Sequence, residues 1–110
     1  MDTMNTELFH HNKIYDECSQ SGRELLRGMA LPNQIKGLLD MKCFEVIDAL
    51  HFNFFEGNCF KYIWRLGEKD SYAKDLEKIR RYAIAACERG TYYTVFHELV
   101  ETLGDKNDSG

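Results

Sequence analysis

The stretch SYAKDLEKIRRYAIAACERG, Ser71 to Gly90, decides the fold class. Tyr72, Leu76, Ile79, Ala83, Ala86 and Cys87 recur every three to four positions, the period of an α-helix that buries one face. Ser71 is a good N-cap and Gly90 a good stop beyond the last turn, so both ends of one long helix are marked.

Downstream, Thr91 can cap a last helix in which Tyr92, Phe96, Leu99 and Leu103 form a narrow seam, widened by Val95 and Val100. Such a seam needs cover, and in a small protein a second copy can supply it, so a homo-oligomer is expected. Residues 104–110, Gly-Asp-Lys-Asn-Asp-Ser-Gly, can neither pack nor continue a helix and read as a disordered tail.

Upstream, Phe60, Tyr62, Ile63 and Trp64 give helical spacing that stops at Leu66-Gly67, and Asn53 and Gly57 bracket a turn before it. From Cys43, the residues Phe44, Val46, Ile47 and Leu50 make an apolar face while Glu45 and Asp48 take another. Ile14, Cys18, Leu25 and Met29 form a weaker stripe, interrupted at Ser21-Gly22 and closed by Pro32-Asn33 before Gly37. Residues 1–12 show no sustained period and read as a flexible arm. The expected architecture is an all-α, small bundle of four to five helices in a single domain over 13–103, with its motif core at 43–90.

The length of 110 residues suits one modest core, and 44% apolar with 29% charged residues is ordinary globular composition. The net charge of -4 argues against nucleic acid as a partner, yet Lys61, Arg65, Lys69, Lys74, Lys78, Arg80 and Arg81 cluster and leave a local basic face open. Cys18, Cys43, Cys59 and Cys87 lack zinc-site spacing and read as reduced thiols. No apolar run is long enough to span a membrane, so no membrane partner is expected.

On a helix starting near Gly57, the residues Asn58, Lys61 and Arg65 project from one face as an amide, an ammonium and a guanidinium. A glycine before a helix exposes free amides that favour negative charge, so Gly57-Asn58 can hold a phosphate with Lys61 and Arg65 beside it. The same residues also fit a solvated face in which Lys61 and Arg65 pair with Glu45, Glu56 or Asp48. Asp48 and Asp70 are weak metal candidates, and His51 and His97 stand in no catalytic motif. The phosphate loop Gly-x-x-x-x-Gly-Lys-Ser/Thr is absent.

Four segments in order, Glu45-Val46-Ile47-Asp48, Gly57-Asn58-Cys59-Phe60-Lys61-Tyr62-Ile63-Trp64-Arg65, Gly67-Glu68-Lys69-Asp70 and Asp75-Leu76-Glu77-Lys78, resemble the bacteriophage SaV-like family. That family is also described as nucleotide-kinase-like. Upstream the chain departs from it, with Pro32-Asn33-Gln34-Ile35 where the family carries Pro-x-His-Tyr. The resemblance implies a small phage protein acting in the host cytoplasm on nucleotides or nucleotide-derived signals. Gly57, Asn58, Lys61, Tyr62, Arg65, Lys69 and Asp70 match the family segment, with Glu45, Asp48, Asp75 and Lys78 as second-tier matches, and the first six are the expected ligand-site residues.

Three functions follow as expectations. The first is a counter-defence protein that sequesters a host nucleotide immune signal and needs no cofactor. The second is a nucleoside monophosphate kinase without a phosphate loop, in which magnesium would sit on Asp48 or Asp70. The third is a module that docks a host factor.

Overall fold

The computed structural model describes residues 18–29 and 37–104. The expected arm at 1–12, most of the tail, Ile14 and Pro32-Asn33 lie outside them. Five α-helices follow in order among the described residues: α1 Gln20–Arg27, α2 Cys43–Ala49, α3 Phe54–Trp64, α4 Tyr72–Glu88 and α5 Thr94–Leu99. The last runs directly into a π-helical turn, Val100–Gly104. The chain is all-α, and no strand occurs among the described residues.

The central unit is the α3–α4 pair, with α1 and α2 packed on α3 and α5 packed on α4. α4 begins as its sequence dictates, with Ser71 Oγ accepting the Lys74 N–H at 3.1 Å. Ile79, Ala83 and Ala86 on its inner face are all fully buried. The two alanines keep that face low, and the Cys59 thiol of α3 donates to the Ile79 carbonyl at 3.5 Å. From α3, Phe60, Ile63 and Trp64 are fully buried, each contributing about 1.5–3 kcal/mol by leaving water. Gly67 ends the segment with φ +78, a left-handed turn that an L-residue with a Cβ adopts only under strain.

Three boundaries differ from the sequence expectation. α1 passes through Ser21-Gly22 without a break, because Ser19 caps it by accepting the Gly22 N–H at 2.9 Å. Gly22 serves close approach: a Cβ there would overlap the Ile63 carbonyl oxygen of α3.

The helix carrying the Gly-Asn motif starts at Phe54, three residues before Gly57. Asn53 is its N-cap, and Asn53 and Glu56 exchange side-chain-to-backbone hydrogen bonds, each at 2.9 Å, so that a capping box sets the start.

The last helix starts at Thr94, leaving Tyr92 outside it and 92% exposed. Thr91 does not cap that helix; its hydroxyl donates to the buried Glu56 carboxylate and accepts the Tyr93 N–H. Of the expected seam, Phe96 and Leu99 are fully buried within the single chain, Leu103 is half-buried and Tyr92 is exposed. Phe52, from the α2–α3 connection, covers the buried part, with its ring 5.4 Å from Phe96, 5.2 Å from Tyr93 and 5.5 Å from Phe60.

Candidate ligand-binding site

The sequence motif divides into three groups in space. The first surrounds the N-terminus of α3. Gly57 lies inside the helix with its N–H donating to Asn53 O at 2.8 Å, so it is not a source of free amides. The helix terminus already holds a carboxylate of its own, Glu56, which is 6% exposed. That charge occupies the positive end of the helix and opposes an external phosphate there. The anion site expected at the Gly57-Asn58 backbone is therefore filled by the chain itself.

The second group is Arg65 and the turn behind it. Arg65 is buried at 7% exposure and pairs at 3.5 Å with Asp75, which is fully buried on α4. Asp75 also accepts the Gly67 N–H at 3.0 Å. One carboxylate thus ties the end of α3, the left-handed turn and the first turns of α4 together. Arg65 pairs with Asp75 and not with the Glu45, Glu56 or Asp48 considered from the sequence. Lys69 is exposed in this turn and belongs to neither of the other groups.

The third group is a ring ringed by cations. Tyr62 stacks on Tyr82 of α4 at 6.0 Å between centroids and 13° between planes. Lys61 Nζ, Lys78 Nζ and the Arg65 guanidinium carbon lie 5.0, 5.1 and 4.5 Å from the Tyr62 centroid. Arg65 is offset by Asp75. Lys61 and Lys78 form no ion pair among the described residues, although Asp70 feels the charge of Lys78.

The surrounding field is visible at Asp70, whose carboxyl is held below its ordinary range. Its acceptance of the Ser71 N–H at 2.8 Å is the main cause, and Lys74, Lys78 and Arg65 add to it. Asp48 is exposed on α2. Among the described residues no three His, Cys, Asp or Glu side chains converge as a metal ion requires.

Beside this cluster lies an open groove of ≈ 300 Å³ between α2 and the first turns of α3. Ile47, Phe52, Asn53, Phe54, Gly57, Asn58 and Lys61 line it. Lys61 is common to the groove and the ring cluster. Asn58 is half-buried and its Nδ2 donates to Phe54 O at 2.8 Å. Phe54 is 66% exposed, and its ring lies 6.2 Å from Tyr82, which continues the aromatic surface towards Tyr62.

Of the residues placed at a site from sequence, the structure brings Lys61, Tyr62 and Arg65 together, sets Gly57 and Asn58 in the groove, and leaves Lys69 apart. The sequence pattern did not single out Tyr82, offered Phe54 only as one of many aromatics on which a base could stack, and ranked Lys78 second. Lys78 and Tyr82 are four apart on α4, a spacing that puts them on one face, and this was the available signal.

Burial disfavours the thiolate form at all four cysteines, Cys87 included. Burial pushes Cys18 up to about 11 and Cys43 up to about 12, and raises Cys59 further still.

Residues 40–84 match a family described as a protein of unknown function, DUF3310. The matched span runs from before α2 into α4 and carries the whole of the groove and the ring cluster. No curated protein and no solved structure matches the chain. Among the described residues no helix is long and apolar enough to cross a membrane.

Proposed function

We propose that the α3–α4 face binds a nucleotide or nucleotide-derived phosphorylated ligand, in the role of a phage counter-defence protein that sequesters a host nucleotide signal. The observation carrying this reading is the convergence of Lys61 and Lys78 on Tyr62, at 5.0 and 5.1 Å, without an acid partner among the described residues. Two ammonium groups gathered around one ring without a carboxylate paired to either leave net positive charge there, which an anion would offset. Lys offers a point charge that adapts to a phosphate, while Arg65, 4.5 Å from the ring centroid, is paired with Asp75. The phage and counter-defence parts rest on the family resemblance of the motif.

The kinase alternative needs two nucleotides side by side. The groove stands at the lower end of the size range of small-molecule sites, about 300–1,000 Å³, which favours one ligand over two.

Calorimetry against mononucleotides, cyclic oligonucleotides and ADP-ribose derivatives tests the binding reading. At least one should bind, with affinity falling about tenfold in Lys61→Ala or Lys78→Ala, as expected for loss of one charge-assisted contact. Silence across that series, with the protein folded, would sink the proposal. Formation of diphosphate from ATP, magnesium and a nucleoside monophosphate would replace it with the kinase.

A further inference from the structure

The groove between α2 and α3 has features that the phosphate cluster does not explain. Phe54 is the first residue of α3 and remains 66% exposed, so a large ring faces water at the groove wall. Gly57 lies on the buried side of a helix, where glycine weakens the element. Packing gives no reason for it: a Cβ at Gly57 would stand 3.4 Å from Ile47 Cγ2 and 4.0 Å from Phe52 Cβ, ordinary contact distances. Alanine would fit and favour the helix, and it would also fill the groove floor.

Two amides of fixed orientation stand at the rim. Asn53 Oδ1 is committed to the Glu56 N–H at 2.9 Å, which leaves its Nδ2 as a donor without a partner among the described residues. Asn58 Nδ2 is committed to Phe54 O at 2.8 Å, which leaves its Oδ1 as an acceptor. Apolar walls, one exposed ring, a donor and an acceptor suit a flat heterocycle whose edge carries both kinds of group. Tyr62 is a poorer platform, since Tyr82 and the three cationic groups already crowd it.

We infer that this groove is a nucleobase subsite, with the heterocycle against Phe54 over Gly57, its polar edge at Asn53 and Asn58, and Lys61 joining it to the phosphate that Lys78 shares. The inference rests on the phosphate reading for its ligand class and adds where the base goes and which residues select it. It makes Gly57 a residue retained for space at the expense of helix stability.

The test compares AMP, GMP, CMP and UMP with ribose 5-phosphate by calorimetry on the wild-type chain, Gly57→Ala, Phe54→Ala and Lys78→Ala. At least one nucleotide should bind tenfold or more tighter than ribose 5-phosphate. Gly57→Ala and Phe54→Ala should remove most of that difference while leaving ribose 5-phosphate affinity unchanged, and Gly57→Ala should melt at or above the wild-type temperature. Lys78→Ala should weaken the nucleotide and the sugar phosphate alike.

Equal affinity for nucleotides and ribose 5-phosphate, or a Gly57→Ala chain that binds every nucleotide as the wild type does, overturns the base subsite and leaves the phosphate reading standing. Nucleotide binding that is indifferent to Lys78→Ala overturns the phosphate reading and leaves the groove. No binding of any of the five compounds overturns the base subsite, and the phosphate reading then stands or falls with the cyclic oligonucleotides and ADP-ribose derivatives.

Discussion

At the C-terminal end of α3, Arg65 is 7% exposed and faces Asp75 at 3.5 Å, while one turn earlier Lys61 is half-buried with no acid partner among the described residues. Both sit against Tyr62, and the spacing of the motif makes them equals. What separates them is the element opposite. α4 presents a fully buried carboxylate to Arg65 and a second ammonium, Lys78, to the ring that Lys61 touches. A cation facing a carboxylate becomes a strut between helices. A cation that shares a ring with a second cation and has no carboxylate paired to it keeps its charge available, and that is the condition an anion site requires.

The strut can be broken from α4. Asp75→Ala leaves Arg65 buried without its carboxylate and the Gly67 N–H without its acceptor, and should lower stability by about 3–5 kcal/mol in urea unfolding. A loss below about 1 kcal/mol would mean that Arg65 reaches water and that the pair holds nothing together. Next in size is the packing on the same half of α3. Gly22→Ala pushes a methyl group into the Ile63 carbonyl and should lower stability by about 1–3 kcal/mol through displacement of α1. The opposite end behaves differently: Lys61→Ala should shift stability by no more than about 0.5 kcal/mol, because no ion pair among the described residues is lost. A large loss there would make Lys61 a second strut and end the contrast.

That contrast explains which parts of the molecule were legible in the sequence. Ile79, Ala83, Ala86, Phe60, Ile63 and Trp64 announced themselves because periodicity and burial are the same fact seen from two sides. The caps at Ser71 and the turn at Gly67 were legible because their chemistry is local. The start of α3 was misplaced because Gly57 looks like a turn residue, whereas Asn53 and Glu56 three apart form a capping box that fixes the start earlier. Tyr92 was read into the last helix because its spacing from Phe96 is helical, although Thr91 is engaged by Glu56, 35 residues away. The pairing of Arg65 with Asp75 and of Tyr62 with Tyr82 joins two helices, and the single-helix spacing of either partner carries no trace of the other. The site was therefore readable as a set of residues on α3 and unreadable as a surface.

The smallest effect probes the field around Lys78. Asp70 is exposed to the charge of Lys74, Lys78 and Arg65, and its carboxyl is depressed chiefly by the Ser71 N–H. A depressed carboxyl contributes stability that is present above its unfolded value of 3.8 and is lost as the pH falls below it. Asp70→Asn keeps an oxygen for the Ser71 N–H and removes only the charge. At neutral pH the variant should melt slightly below the wild type, and the two curves should converge as the pH falls through that window. The same substitution should tighten binding of a phosphorylated ligand a few-fold at low salt, since one negative charge near Lys78 is gone, and added salt should erase the gain. Opposite movements of stability and affinity would show that the face around Lys61 and Lys78 is set by charge, and a variant that loses both would place Asp70 with Asp75 among the struts.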